Sequence, residues 1–319
     1  MRGNVKEFDL ISLGEVLIDF IPTGRPNELT INFGGAPANV AVAVARNGLK
    51  SGFCGMVGND DFGNLIATTF EEENVDFLCD EFTEEAITTL AFVQLDEHGD
   101  RSFTFARKPG ADMFLDHEQI PPEQIANTKM LNAGTLSMTG GKSKDTTIYA
   151  LKEAARQNKI VTMDLNYRPP LWDYDMDACA DVFHSVLPYV DLLKISDEEA
   201  PMLRMSVKEV MKKYDLTAVI ETLGADGSRV YFQDDIIEQP GIKADVKDTT
   251  GAGDAFWGAF LSEILRTGKE DVQDLSYADF SNAIKMGAIS GYYCVQQKGA
   301  IESLPTYEEI IQAKKELKI

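Results

Sequence analysis

Short apolar segments rich in β-branched residues alternate along this chain with amphipathic segments of helical periodicity. The strand-like segments are almost continuously apolar, which is typical of parallel strands covered by helices on both faces. The predicted strands are Phe8–Leu13, Gly52–Val57, Met130–Ala133, Ile160–Asp164, Leu192–Ile195 and Ala218–Glu221. The predicted helices are Pro37–Asn47, Asp61–Glu73, Asp145–Gln157, Met176–Leu187 and Val207–Tyr214, with two long closing helices near Gly251–Arg266 and Tyr277–Val295. This order predicts an α/β fold with a doubly wound, mainly parallel sheet flanked by helices.

Two parts of the chain depart from this alternation. They contain four further strand-like pieces, which are Glu15–Phe20, Glu28–Phe33, Thr88–Leu95 and Arg101–Arg107. We expect them to form a small β-sheet lid, made by roughly residues 15–34 and 87–112 of a single domain that spans residues 1–319. Such a sheet can exclude water from a cleft or pair with a second copy, and the sequence leaves both roles open.

Composition and charge exclude several classes of protein. The chain has 319 residues, 44% of them apolar, which is enough for a large core and argues against global disorder. It contains no apolar run of about 18 residues, so we expect no membrane span. The net charge of −22 and the absence of a basic cluster argue against nucleic acid and anionic membranes as partners. The acidic residues are spread along the chain, which fits either a well-solvated surface or a saline habitat.

The N-terminus and the cysteines indicate an intracellular protein. Met1–Asp9 is polar and lacks the basic start, apolar centre and cleavage site of a signal peptide. The four cysteines are far apart in sequence and form no CxxC pair, so we expect reduced thiols in the core of a cytoplasmic protein. The histidines have no metal-binding spacing, and we expect structural or surface roles for His98, His117 and His184.

The motif with the clearest chemistry is Asp248-Thr-Thr-Gly-Ala-Gly-Asp254, which runs directly into an apolar helical segment. The backbone N–H groups of Gly251, Ala252 and Gly253 would lie at a helix N-terminus, where unpaired donors and the helix dipole favour an anion. Asp254 would then lie in the first turn beside that anion, where a carboxylate can take a proton from an attacking hydroxyl. This pairing of anion donors with a base predicts phosphoryl transfer.

Two other glycine patterns do not fit their motifs. Gly141-Lys142-Ser143 resembles the end of a P-loop, but the first glycine of that motif would fall at Leu136. Gly251-Ala252-Gly253 resembles part of a dinucleotide fingerprint, but its third glycine would fall at Phe256. A nicotinamide enzyme is therefore disfavoured.

The glycine-rich block resembles the C-terminal signature of the ribokinase-like (PfkB) carbohydrate kinases. Two N-terminal blocks are also similar to that family, Asn32-Phe-Gly-Gly-Ala-Pro-Ala-Asn39 and Gly55-Met-Val-Gly-Asn-Asp-Asp-Phe-Gly63. The order and spacing of the blocks match the family over nearly the whole chain. The resemblance implies a ribokinase-like fold, ATP as co-substrate, Mg²⁺, and Asp254 as the catalytic base.

The resemblance also implies roles for individual residues. The implied sugar-binding residues are Asp19, Gly34, Gly35, Asn39, Arg107, Asn166 and Arg168, of which Arg107 has a lid-surface charge as its alternative. The implied ATP-binding residues are Ser196, Thr222, Gly224, Gly227 and Asn282. Glu199 corresponds to the acid of the family's Asn-x-x-Glu motif and implies Mg²⁺ binding through water, although Ser196 replaces the asparagine. In several relatives a monovalent cation, K⁺ for example, binds where the carbonyls of Asp248 and Thr250 would lie.

Within the family, the chain is most similar to bacterial-type fructokinases. This similarity rests on Arg107-Lys-Pro-Gly-Ala-Asp112 and on the block from Asp164 to Trp172, which 2-keto-3-deoxygluconate kinases share. It implies phosphorylation of D-fructose at its 6-hydroxyl. 2-Keto-3-deoxygluconate kinase is the first alternative, followed by ribokinase or another sugar kinase of the family, and a sugar- or nucleotide-binding protein is the non-enzyme alternative. The lid sheets of relatives often pair, so a homodimer through the lid is expected.

Overall fold

The computed structural model describes residues 7–25, 27–79, 81–95 and 101–319. Residues 1–6 of the polar N-terminal segment lie outside these ranges. Residues 96–100, which connect the predicted strands Thr88–Leu95 and Arg101–Arg107 and include His98, also lie outside them. The strands within them are β1 (Phe8–Leu13), β2 (Leu17–Pro22), β3 (Leu29–Gly34), β4 (Ser51–Cys54), β5 (Val75–Phe77), β6 (Leu90–Leu95), β7 (Arg101–Ala106), β8 (Thr128–Gly134), β9 (Ile160–Asp164), β10 (Leu192–Ser196), β11 (Ala218–Thr222), β12 (Gly227–Phe232) and β13 (Asp235–Pro240). The helices are α1 (Ala36–Arg46), α2 (Asp61–Glu72), α3 (Pro122–Ala126), α4 (Gly141–Arg156), α5 (Met176–Val186), α6 (Val207–Tyr214), α7 (Ala252–Arg266), α8 (Tyr277–Cys294) and α9 (Tyr307–Leu317).

Nine of these strands form the main sheet, in the order β13-β12-β11-β10-β9-β8-β1-β4-β5. The pairs from β11 to β5 are parallel, and β12 and β13 extend the edge with antiparallel pairs. The predicted doubly wound, mainly parallel fold is therefore confirmed. Because the parallel strands run in one direction, the loops after β1, β8, β9 and β10 meet at the same edge of the sheet.

Helices cover both faces of this sheet. On one face, Leu151 of α4 and Phe183 of α5 are fully buried in the core. On the other face, α1, α7 and α8 pack together, and Trp257 and Phe260 of α7 are fully buried. None of the helices in the described part of the chain is long and apolar enough to cross a membrane.

A buried polar contact fixes α7 to the sheet beneath it. The Oδ1 of Asn132, on β8, accepts hydrogen bonds from Nε1 of Trp257 and from Oγ1 of Thr162, each at 3.0 Å. The Nδ2 of Asn132 donates to Oγ of Ser12 on β1 over 3.0 Å. One amide side chain therefore connects three neighbouring strands to α7, which starts at the glycine-rich motif.

The second sheet has the strand order β3-β2-β6-β7, and we call it the small sheet. Its β2–β3 and β6–β7 pairs are antiparallel, and β2 and β6 run parallel. Asp60, the N-cap of α2, connects it to the main body by accepting hydrogen bonds from the backbone N–H and Oγ1 of Thr88, at 2.7 and 2.8 Å. The four strands predicted outside the main alternation therefore form one separate sheet.

The last helix, α9, was not predicted from the sequence. The two long helices α7 and α8 were expected to close the chain, but α9 follows, with Thr306 as its N-cap and a capping box to Glu309. Ile310 and Ala313 of α9 are buried in a cluster with Met286 and Ile289 of α8. The Thr-x-x-Glu spacing before an amphipathic segment was the signal that could have identified this helix.

The cysteine prediction is confirmed in the structure, where all four thiols are free and buried. His184 has a structural role, because its ring nitrogens contact the Tyr214 hydroxyl at 3.0 Å and the Met202 carbonyl at 3.1 Å. His117 is an exposed residue beside Asp116. Both histidines agree with the expected structural or surface roles.

Candidate active site

The candidate site centres on the first turn of α7. Gly251 is the N-cap, and its φ of 76° lies in the left-handed region that favours glycine. Among the described residues no side chain caps this helix start. The N–H of Ala252 donates to the Thr249 carbonyl over 3.3 Å, whereas the N–H groups of Gly251 and Gly253 have no such backbone partner in the described part of the chain. Together with the helix dipole, these donors form a site suited to a phosphate oxygen.

Asp254 lies in this first turn and is held from a second helix. The Nδ2 of Asn39, on α1, donates to Oδ2 of Asp254 over 2.7 Å. Burial raises the pKa of Asp254 to about 6, against the lowering effects of the Asn39 hydrogen bond and of Lys194. A carboxylate with this pKa is mostly ionised at neutral pH and is still basic enough to accept a proton in the reaction.

The expected sugar-binding residues of the small sheet meet the start of α1. Asp19 on β2 pairs in register with Asn32 on β3. A Cβ at Gly34 would lie 2.4 Å from Oδ2 of Asp19, and a Cβ at Gly35 would lie 2.5 Å from the Glu15 carbonyl oxygen. Gly35 cannot be replaced without strain, because its φ is 111° and the Cβ would meet backbone, whereas a side chain at Gly34 would displace the carboxylate of Asp19. The two glycines therefore place Asp19 beside the start of the helix that carries Asn39.

Arg107 is held by the body of the protein. It is only 9% exposed, and its Nη2 lies 2.7 Å from Oδ2 of Asp112. Its Nη1 donates to Oγ1 of Thr139 over 2.9 Å, and its Nη2 donates to the Leu136 carbonyl over 3.3 Å. The alternative that Arg107 is a lid-surface charge is therefore wrong, since the guanidinium is buried where the small sheet meets the loop after β8.

The loop after β9 carries two more expected sugar-binding residues. Asn166 is buried and adopts a positive φ of 46°, a conformation that asparagine tolerates better than most residues. Arg168 is exposed, and its Nη1 donates to the carbonyl of Tyr167 over 3.2 Å. Burial raises the pKa values of Glu15 and Asp254, and the charge of Arg168 opposes this effect at both groups, so Arg168 lies within electrostatic range of both carboxyl groups.

Glu199 joins the loops that follow β9 and β10. Its Oε1 accepts from the backbone N–H of Tyr167 over 2.6 Å, and its Oε2 accepts from that of Ser196 over 2.8 Å. Burial and the nearby Asp164 raise the pKa of Glu199. Each carboxyl oxygen retains a second lone pair, so a water molecule of a Mg²⁺ shell is a compatible partner.

The expected ATP-binding residues separate into two groups. Ser196 and Thr222 are neighbours at the ends of β10 and β11, and the turn with Gly224 and Gly227 follows directly. Asn282 does not join them, because its Nδ2 donates to Oε2 of Glu263 over 2.5 Å near the far end of α7. A Cβ added at Gly291 of α8 would contact the carbonyl of Ala252 at the start of α7. Asn282 lies nine residues before Gly291, which is about 14 Å along the helix. The predicted placement of Asn282 at the nucleotide pocket is thus not supported, and the helix surface around Gly291 lies nearer to the site.

The loop before Gly251 is held against the segment after α8. The Oδ1 of Asp248 accepts from the backbone N–H of Thr250 over 2.8 Å, and Oδ2 accepts from that of Gly299 over 3.3 Å. The Thr250 carbonyl accepts from Sγ of Cys294 over 3.5 Å. No group of three or more acidic, histidine or cysteine residues in the described part of the chain could hold a metal ion.

A buried ion pair beside Asp254, formed by Lys194 and Asp164, was not predicted from the sequence. The Nζ of Lys194, on β10, donates to Oδ2 of Asp164, at the end of β9, over 2.6 Å. Burial lowers the pKa of Lys194, but the charge and hydrogen bond of Asp164 raise it further, so the ammonium stays charged. A lysine in the apolar strand Leu-Leu-Lys-Ile was the signal that could have identified this pair.

The fold and this site are those of a phosphotransferase of the carbohydrate-kinase class, with a helix start that no side chain of the described residues caps and a carboxylate in its first turn. The model of the pfkB family carbohydrate kinases matches residues 7–307. The chain belongs to this family.

The comparisons with individual proteins agree. The chain is 35% identical to a probable chloroplastic fructokinase-6 of Arabidopsis thaliana, over 95% of this chain and 82% of that protein. Its fold is similar to the crystal structure of a fructokinase with bound ATP from Xylella fastidiosa, with a TM-score of 0.89, 30% identity and coverage of 97% and 99% of the two chains. It is also similar to a Vibrio cholerae fructokinase bound to fructose, ADP and calcium, with a TM-score of 0.85, 31% identity and coverage of 95% and 97%.

Proposed function

We propose that this enzyme transfers the γ-phosphoryl group of ATP to the 6-hydroxyl of D-fructose, giving fructose 6-phosphate and ADP. The observation that carries the proposal is the hydrogen bond from Asn39 to Asp254. It joins the acceptor side of the cleft, formed by Asp19, Gly34 and Gly35, to the anion-binding start of α7. The similarity to fructokinases, including structures with fructose and ATP, supports the choice of substrate.

In the proposed reaction, Asp254 accepts the proton of the 6-hydroxyl as that oxygen forms a bond to the γ-phosphorus. The bond from the γ-phosphorus to the bridging oxygen breaks, and ADP leaves with its electron pair. The N–H groups of Gly251, Ala252 and Gly253 stabilise the negative charge on the transferring phosphoryl oxygens. Asp19, Asn39, Asn166, Arg107 and Arg168 orient the sugar.

The proposal includes two cations. Mg²⁺ bound to the nucleotide phosphates would neutralise their charge, with Glu199 holding a water of its shell. A monovalent cation such as K⁺ would bind the carbonyls of Asp248 and Thr250 and support the loop before Gly251. Ser196, Thr222, Gly224 and Gly227 would contact the nucleotide.

We further propose a cytoplasmic homodimer that pairs through the small sheet, with the strands 15–34 and 87–112 acting as the lid of one domain. Side chains alternate between the two faces of a strand. Asp19 and Asn32 share the polar face, while Phe20, Ile31 and Phe92 are in register on the other. Ile31 is 52% and Phe92 36% exposed, which supports a second copy as the partner of this apolar face.

The test is ADP release with ATP and Mg²⁺ on a panel of fructose, 2-keto-3-deoxygluconate, ribose, glucose, fructose 6-phosphate and adenosine. Turnover on fructose in clear preference to the others supports the proposal. Preference for 2-keto-3-deoxygluconate would keep the mechanism and assign the exposed Arg168 to the substrate carboxylate. Sugar binding without turnover on any compound would favour the binding-protein alternative.

A further inference from the structure

A buried cation borders the helix turn that carries the proposed base. The side chains of Lys194 and Asp164 are 8% and 6% exposed, and Nζ lies 2.6 Å from Oδ2. Burying an ammonium in a sheet is costly, and removing one partner of such a pair destabilises a protein strongly. A fold that only needed an apolar strand would be at least as stable with a hydrophobic residue at position 194.

The ammonium lies directly beside the start of α7. A Cβ at Gly253 would be 3.6 Å from Nζ of Lys194, so a longer side chain at position 253 would extend into the ammonium. The glycine therefore leaves room for a positive charge next to the first turn of α7, whose N–H groups are the proposed phosphate donors. The second carboxylate oxygen of this ion pair, Oδ1 of Asp164, is buried and has no hydrogen-bond partner among the described residues.

Several charged groups face Asp254 from different elements. Lys194 of β10 and Arg168 of the loop after β9 favour its ionised form, and Asp164 at the end of β9 opposes it. Cys294 of α8 lies close enough for Asp254 to raise the pKa of its thiol. Asn39 of α1 adds its hydrogen bond. Lys194 and Asp164 are in direct contact with each other. Lys194 lowers the pKa of Asp254, whereas Asp164 raises it.

We infer that Lys194 and Asp164 form a positioning pair for the reaction, in which the ammonium keeps Asp254 ionised and fixes the first turn of α7. Asp164 holds the ammonium in place and offsets part of its charge. The inference rests on the proposed role of Asp254 as base. It differs from a purely structural role, in which loss of either residue would reduce folding stability and turnover without changing the ionisation of Asp254.

The test compares Lys194→Met, Asp164→Asn and the double variant by the pH dependence of kcat between pH 5 and 9, with saturating fructose, ATP and Mg²⁺. Removing the ammonium is expected to move the acidic limb of the profile upward by about one pH unit or more. Removing the Asp164 charge is expected to move it downward. The double variant, which lacks both charges, is expected to return close to the wild-type profile.

Lys129→Met is the matched control, because Lys129 pairs with Asp9 at 2.7 Å in an exposed position on β8. Its profile is expected to match that of the wild type. Shifts of the two single variants in the same direction, or reduced kcat without any shift, would overturn the inference. If Lys194→Met fails to fold, Asp164→Asn alone decides: a downward shift supports the pair and an unchanged limb overturns it.

Asp254→Asn separates this inference from the proposed function. If that variant keeps near-normal turnover, the assignment of the base itself is wrong. If it is inactive while the profiles of the pair variants do not move, the base stands and only the positioning role fails.

Discussion

The Nδ2 of Asn39 lies 2.7 Å from Oδ2 of Asp254, so one hydrogen bond joins two helix starts that are 215 residues apart in sequence. Both helices begin with a glycine at positive φ, Gly35 at 111° and Gly251 at 76°. Each glycine allows a close approach that a side chain would block, and the contact between Asn39 and Asp254 depends on both. The hydrogen bond thereby positions the starts of α1 and α7 relative to each other.

Replacing the proposed base tests the chemistry directly. We expect Asp254→Asn to bind fructose and ATP but to lose about 10²- to 10⁴-fold in kcat, the range typical of general-base removal. Calorimetric binding and steady-state kinetics would measure the two quantities. Asp235→Asn, at an exposed position on β13, is the control and should retain wild-type turnover.

Turnover should depend on pH through Asp254. Because burial raises the pKa of this group to about 6, activity is expected to fall as the pH drops through 6 and the carboxylate takes up a proton. In Asn39→Leu the hydrogen bond that lowers this pKa is lost, so the acidic limb should move to higher pH. A rate profile of Asn39→Leu that overlays the wild type would contradict the role of Asn39.

Folding stability should depend on pH through Glu15. This carboxyl group is 2% exposed, and burial raises its pKa to about 8 from 4.5. Between these values the folded state binds more protons than the unfolded state, so stability falls as the pH rises. The loss from Glu15 alone approaches about 5 kcal/mol above pH 8, since one pKa unit corresponds to about 1.4 kcal/mol.

Urea denaturation at pH 5, 6, 7 and 8 measures this effect. Glu15→Gln removes the titrating group, and its stability is expected to decrease less over the same range. Parallel curves for the variant and the wild type would show that Glu15 ionises normally in the folded protein.

The buried Asn132 is expected to be important for stability. In Asn132→Ala the Trp257 N–H, the Thr162 hydroxyl and the Ser12 hydroxyl lose their partner. Leaving buried polar groups unpaired costs about 1–3 kcal/mol each, so we expect a loss of several kcal/mol in the free energy of unfolding. Asn127→Ala is a useful comparison, because the Asn127 side chain is only half-buried and its Nδ2 donates to the Glu123 carbonyl over 2.5 Å. A similar loss of stability in that variant would contradict this explanation.

The proposed dimer can be tested on the apolar face of the small sheet. Ile31→Asp places a charge in the centre of that face and should give a monomer by light scattering while retaining the fold. A wild-type protein that is already monomeric would contradict the proposal. Ser185→Asp, at an exposed position on α5, is the control for the single added negative charge.

The parallel part of the fold could be predicted because its strands are continuously apolar and its helices are periodic. β5 has only three residues, Val75–Phe77, and β13 carries charged residues, so neither has a clear strand pattern. The glycine-rich block identified Asp254 correctly as a residue of the α7 start, since a helix N-terminus is a local property of the sequence. Asn282 could not be judged in this way, because its position depends on how α8 packs along α7.

The contact between Lys194 and Asp164 could not be predicted from sequence separation either. The two residues are 30 positions apart and meet only because β9 and β10 are adjacent in the sheet, in the register that pairs Asp164 with Lys194. The sequence shows a lysine in an apolar strand, but the identity of its partner is a consequence of strand order.

The bond between Trp257 and Asn132 has a consequence for engineering this enzyme. Trp257 lies three residues beyond Asp254 and four beyond Gly253, so the anchored part of α7 begins about one turn after the glycine-rich motif. Changes that stiffen the glycine turn would act on the part that must adapt to a moving phosphoryl group. Changes beyond Trp257 would act on a part that is already rigid, so the far half of α7 is the better place to seek thermostable variants that keep their turnover.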